Sequence, residues 1–361
     1  MKYWRGYLVA GILAASAWAL SQLAATYSEL LDMIYPYMSR LIQDGLTTWS
    51  AGTQLCLWQL GVLVMVVGVL ATVVLMIAFK WNPIQWFGWV LASVSVLFLL
   101  NTCIYGLNAY TGDLSADIHL NVTKPNATEM EKATTYFRDK ANELATTLPR
   151  DDAGNVIYAS LSELAEEAGK GFEALVYEEY MAVFAGSRLP VKELGFSDWY
   201  TAQGMTGITV ALTGESAVNP QVPAVGQPFA ICHEMAHRMC VANDRDANLA
   251  AYLACMNHPD EQFQYSAYLA AFRYCFNALQ TSTTSTGRAA VVRVKSGMTD
   301  QLKHDLEVYG SFFEGHEDAD MDSQVSKLLI SWYIQEIALP PVVEDNEDKF
   351  DPMDESQVDL S

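Results

Sequence analysis

His233, Glu234 and His237 place two imidazoles four residues apart with a carboxylate beside the first. On a helix, residues i and i+4 share one face, so both rings can reach one metal ion while Glu234 stands beside the open coordination position. That is the outline of a hydrolytic zinc site, with Zn2+ as the expected cofactor and Glu234 as the expected catalytic base. Zinc there would make a water acidic enough for Glu234 to take its proton and pass it to a leaving amine. Peptide hydrolysis is the reaction such a site performs most naturally, which makes a peptide or protein the expected substrate.

The element carrying the motif must be a helix with a buried environment, and the residues around the histidines, from Gln227 to Cys240, are mostly small or apolar. A third protein ligand should come from the next element. Asp244 and Asp246 open the following apolar segment, Ala247 to Cys255. The order Asp244, Arg245, Asp246, Ala247, Asn248 resembles the Glu-x-x-Ala-Asp/Asn signature of zinc peptidases whose third ligand is a carboxylate. The resemblance implies Asp244 as metal ligand, with Asp246 as second choice, and Asn248 as the side chain that hydrogen-bonds a ligating histidine. An aspartate in place of the usual glutamate demands a closer approach of the second helix. Cys240 stands where such helices usually end in glycine, on the metal-facing stripe. It is expected to be a buried thiol, the alternative being a Cys-containing site.

Composition separates along the chain. Half of the residues are hydrophobic and the net charge is −21. Residues 1–106 hold 4 of the 21 Lys and Arg and 3 of the 42 Asp and Glu, leaving 17 and 39 for residues 107–361, a balance of −22. A transmembrane anchor module (1–106) followed by an acidic globular domain (107–341) is therefore expected. Three apolar runs, about 7–25, 55–79 and 86–105, are long enough to span a bilayer. The first could also serve as a signal peptide, but three spans are the simpler reading. Lys2, Arg5 and Lys80 then fall on one side, which the positive-inside rule makes cytoplasmic, and the acidic domain lies on the other. Tyr27 to Gly52 mixes apolar residues with Glu29, Asp32, Arg40 and Asp44, as an amphipathic segment at the outer membrane surface would.

In the acidic domain, Asn126–Leu148, Tyr158–Tyr180, Gln262–Ala278, Met298–Phe312 and Ser323–Ala338 show helical periodicity. Gly207 to Glu215 is the one clear strand, rich in β-branched residues. Resemblance to zinc peptidases in which an edge strand beside the site holds the substrate backbone implies that residues 207–219 hold an extended substrate, the alternative on spacing alone being an ordinary core strand. The fold class is mostly α with a small β-sheet (α+β). Cys255 and Cys275 could pair outside the membrane. Residues 342–361 form an acidic tail with few large apolar side chains, expected to be disordered. Tyr265, Tyr268 and His258 lie downstream of the motif, and none has a spacing that marks it as an oxyanion donor.

The layout resembles the bacterial membrane-anchored zincin-like family labelled domain of unknown function 3810. The early spans, YSELLDMIYPYMSRL, GITVALTGESAVN, CHEMAH and DANLAAYLAC carry the resemblance. It implies a mostly helical zincin-like metallopeptidase domain displayed beyond a three-helix membrane anchor. The alternative from another class is a non-catalytic membrane receptor or scaffold with a structural metal site, in which Glu234 would have no work as a base. The acidic balance excludes nucleic acid as an expected partner, because phosphate binding needs a basic face. Membrane lipid is the other expected partner.

Overall fold

The structure, a computed structural model, describes residues 2–177 and 183–338, so the acidic tail expected from Val342 onward lies outside the described residues. Four helices come first: α1 (Arg5–Thr26), α2 (Ser28–Ser50), α3 (Leu57–Ala78) and α4 (Pro83–Ile104). Helices α1, α3 and α4 are long and apolar enough to cross a membrane, which is consistent with membrane association. Each begins and ends within three residues of the expected span. The start of α4 is sharp because Asn82 accepts from the Ile84 and Gln85 amides, with Pro83 at the first helical position. Small residues let α1 and α4 cross closely: a Cβ on Gly6 would lie 2.4 Å from the Gly88 carbonyl carbon.

Beyond α4 the chain is mostly helical. Helices α5 (Leu114–Asp117), α6 (Ala127–Thr147), α7 (Leu161–Glu167), α8 (Gly169–Tyr177) and α9 (Ser197–Thr201) precede α10 (Gln227–Arg238), which carries the histidines. Helices α11 (Asp244–Met256), α12 (Glu261–Gln280), α13 (Ser285–Ser296), α14 (Asp300–Ser311) and α15 (Ala319–Trp332) follow. The single helix expected over 158–180 is divided in two, its last three residues lying outside the described residues. Ser160 and Glu163 form a capping box for α7. Helix α8 starts afresh at Gly169 because it must pass close to α11, where a Cβ on Gly171 would meet the Ala254 carbonyl oxygen at 2.2 Å. Helix α13, capped by Thr284, forms where the sequence carries no clear helical periodicity. The core centres on α10, α11 and α12, where Ile231, Met235, Tyr252, Phe263 and Phe272 are fully buried.

The sheet has three short strands, β1 (Lys192–Glu193), β2 (Gly207–Val210) and β3 (Glu215–Val218), in the order β1-β3-β2. The run expected to be one strand over 207–215 is instead a hairpin. Strands β2 and β3 pair antiparallel, with Ile208 opposite Ala217, and the chain reverses at Gly214, whose φ of +64° suits glycine. Strand β3 is central and buried, so of residues 207–219 only β2 forms an edge. The six cysteines are all free, so Cys255 and Cys275 are not paired. The Cys255 thiol faces α10 instead, 3.5 Å from the Pro228 carbonyl.

A buried ion pair joins the sheet to the membrane-length helices. The Glu215 carboxylate accepts from the Leu57 and Trp58 amides, each at 2.8 Å, and from Lys192 Nζ at 2.6 Å. Those amides are among the first-turn donors of α3 that have no partner within the helix. Lys192 also donates to the Ser50 and Leu55 carbonyls, so one side-chain pair ties together α2, α3 and the sheet.

Candidate metal centre

The geometry of the site begins with how α10 ends. The Val241 amide bonds to the Ala236 carbonyl at 3.1 Å and the Cys240 amide to the His237 carbonyl at 2.9 Å, closing a Schellman turn with Cys240 at φ +72°. This is a position that glycine favours. Cys240 is anchored there by its thiol, which donates to Ser39 Oγ at 3.2 Å, and burial raises that thiol to about 11. It is therefore a buried thiol set apart from the cluster of metal-ligating atoms.

The tight reversal brings two groups back toward the histidines. The Val241 carbonyl meets His237 Nδ1 at 2.8 Å. Asn243 caps α11 by accepting from the Arg245 amide, which leaves Asp244 in the first turn with its side chain 65% exposed. Asp244 Oδ1 lies 3.1 Å from His237 Nε2 and 3.8 Å from His233 Nε2, and the two Nε2 atoms are 3.1 Å apart. Ligand atoms on a tetrahedral zinc are separated by about 3.4 Å, given bonds of roughly 2.0–2.1 Å, so the three atoms stand at the spacing a zinc ion needs. Asp246 is directed elsewhere: it is buried, accepts from the Leu114 amide at 3.0 Å and pairs with Arg245 Nε at 2.8 Å. Asp244 is the aspartate brought to the histidines.

The hydrogen bonds behind the rings settle where their protons sit. A carbonyl only accepts, so His237 Nδ1 carries the proton toward Val241. His233 Nδ1 faces Asn248 Oδ1 at 3.1 Å, and Tyr274 donates to the same oxygen at 3.2 Å. Each neutral ring then turns a lone pair on Nε2 toward the other and toward a carboxylate oxygen. Three acceptors converge with no donor among them, an arrangement that only a cation or an added proton satisfies. Titration reflects the same crowding. Burial lowers the His233 imidazole, and the neighbouring His237 lowers it further. Burial would lower His237 too, but the Asp244 hydrogen bond, the Glu234 charge and the Val241 carbonyl together raise it. The residues present thus suit a zinc ion, whose binding would displace a proton.

Glu234 is 3% exposed and sits against the edge strand. Thr209 Oγ1 donates to its Oε2 at 2.8 Å, and Ser216 Oγ donates to its backbone carbonyl at 2.9 Å. Gly207 is required by this approach, since a Cβ there would stand 2.6 Å from Glu234 Cγ and Oε1. Burial raises the Glu234 carboxyl to about 7.

His233, Glu234, His237, Asp244 and Asn248 line one cleft of about 520 Å³, walled by β2 on one side and by Phe229, Tyr309, Phe313 and Met321 on another. Neither Tyr265, Tyr268 nor His258 reaches it. Tyr265 donates to buried Asp305, Tyr268 packs between Tyr136 and Tyr252, and His258 Nε2 bonds to the Glu167 carbonyl at 3.0 Å. Among the described residues, the tyrosines that do line the cleft are Tyr105, Tyr274 and Tyr309. Tyr105, at the very end of α4, donates to the His237 carbonyl at 3.0 Å. No local signal could have found it, because it is 128 residues before His233 and joins the site only through the fold.

No curated protein and no solved structure matches the chain. A family model described as a protein of unknown function (DUF3810) matches residues 30–333, from within α2 to just past α15. With most of its length covered, and the cleft wholly inside the matched region, the chain belongs to the DUF3810 family of proteins of unknown function.

Proposed function

We propose that this chain is a membrane-anchored zinc metallopeptidase that hydrolyses peptide bonds outside the cytoplasm. The observation that carries the reading is the convergence of His233 Nε2, His237 Nε2 and Asp244 Oδ1 beside a buried carboxylate, Glu234. A structural site would be closed by a fourth protein ligand, and among the described residues the cluster has three. When bound, zinc supplies Lewis acidity, which activates water at neutral pH and polarises a carbonyl.

The remaining work belongs to the protein. An extended peptide can add to the edge strand β2, whose residues Gly207, Ile208 and Thr209 line the cleft, and so present its scissile carbonyl to the histidines. Glu234 takes a proton from the attacking water and delivers it to the leaving amine nitrogen, a task that its buried place on the cleft wall beside the two histidines suits. Thr209 holds that carboxylate, while Asn248 and the Val241 carbonyl keep both imidazoles in one tautomer. A mixed peptide library incubated with the purified full chain tests this. Cleavage that stops with a chelator and returns with zinc is expected, and cleavage indifferent to both would contradict the proposal.

The side of the membrane follows from charge. Arg5 begins α1 and Lys80 follows α3, so both lie at the face opposite the cleft, and the positive-inside rule makes that face cytoplasmic. Protease added to intact cells should therefore digest the domain beyond α4. Resistance until the cells are lysed would reverse the orientation.

A further inference from the structure

Helix α2 is amphipathic with its faces reversed relative to a helix in water. Its four buried residues, Ser39, Gln43, Thr47 and Ser50, are all polar. Every exposed residue from Leu30 to Ile42 is apolar or aromatic, with Met33 at 72% and Leu41 at 68% exposure. Three residues of the polar face, Ser39, Gln43 and Thr47, bond to other elements of the chain. Ser39 Oγ donates to the Ile104 carbonyl at 2.7 Å and accepts from Cys240 Sγ, at the end of the metal helix. Gln43 Nε2 donates to the Ala211 carbonyl at 3.1 Å and Thr47 Oγ1 to the Gly214 carbonyl at 2.7 Å, both in the β2–β3 turn.

Chain order fixes where this helix lies. Only Tyr27 separates α1 from α2, and residues 51–56 separate α2 from α3. With α1 and α3, successive membrane-length helices, both crossing a bilayer, the end of one and the start of the other meet the same membrane face. A helix of 23 residues, about 35 Å long, that joins them must run along that face. Tyr35 of α2 also donates to the Thr102 and Cys103 carbonyls at the end of α4, which reaches the same face. The apolar side of α2 is continuous with the lipid-facing end of α1, where Leu20 and Leu23 share one apolar groove with Leu30, Ile34 and Met38.

We propose that α2 is seated in the interfacial layer of the bilayer, with its Leu30–Ile42 face among the acyl chains. The metal helix and the β2–β3 turn ride on its polar face. The lipid surface is thereby the partner that covers α2 and holds the cleft at the membrane. This does not depend on what the cleft catalyses.

The test uses the full chain in phospholipid nanodiscs, with Cys103→Ser to remove the one exposed native thiol. A fluorophore is placed on a new cysteine at Met33 or, in a separate variant, at Leu41. Val292, 68% exposed on α13, supplies the control position. Acyl-chain spin-labelled lipid should quench the labels at 33 and 41 by about two-fold or more and spare 292, while aqueous iodide should do the reverse. Iodide quenching at 33 and 41 equal to that at 292 would place the face in water. Protection from both quenchers at 33 and 41 would mean that a second copy or another protein covers it. Either result overturns the proposal, and two independent label positions guard against one variant misfolding.

Discussion

Replacing Glu234 by glutamine is expected to leave the metal content of the chain unchanged and to lower peptide hydrolysis by about 10²–10⁴-fold. The amide keeps the shape of the carboxylate, so the contacts with Gly207 and the Thr209 hydrogen bond can persist. What it loses is the ability to accept a proton from water and hand it on. Because Glu234 is not among the three converging ligand atoms, metal analysis and turnover separate cleanly in this variant. Turnover within a few-fold of the unaltered chain, with metal retained, would remove Glu234 as the base.

Glu215→Ala should have the largest effect on stability. Its carboxylate is fully buried, pairs with Lys192 and satisfies two first-turn amides of α3, so its removal leaves a buried cation and two orphaned donors. Breaking a buried pair from one side costs about 3–5 kcal/mol. For a domain of this size that corresponds to a melting temperature lower by roughly 10 °C. Arg293→Ala, at the surface pair with Glu131, should leave the melting temperature almost unchanged, because exposed pairs contribute little. Thermal melting of the full chain in detergent compares the two. Equal melting for Glu215→Ala and the unaltered chain would show that the cap does not hold the sheet to the membrane helices. The effect would also reach the cleft, since Ser216, the next residue, donates to the Glu234 carbonyl.

The parts of this arrangement that could be read from sequence are those encoded locally. The four-residue spacing of His233 and His237 and the four-residue spacing of Asp244 and Asn248 are helix periodicities, and the structure brings all four side chains to one cleft. The three membrane-length helices were equally legible, because an apolar run of that length carries its own signal. What sequence could not supply depends on distant partners. The Val241 carbonyl on His237, Thr209 on Glu234 and Tyr105 at the cleft wall all arise from how α10 meets the sheet and α4. Asp244 and Asp246 were separable only once Leu114 and Arg245 were seen to occupy Asp246. The hairpin was hidden because the β-branched residues Ile208, Thr209, Val210 and Thr213 extend into the turn, and only the positive φ of Gly214 reveals it. Periodicity likewise marked α2 as amphipathic without telling which face the protein would keep.

The central claim is that His233, His237 and Asp244 hold a zinc ion, and metal analysis of the purified full chain tests it most directly. About one zinc per chain is expected in the unaltered protein and none in the His233→Ala/His237→Ala double variant. Asp244→Ala should bind more weakly, while Asp246→Ala, whose partners are Leu114 and Arg245, should keep its zinc if it folds. Full zinc occupancy in the double histidine variant would contradict the account.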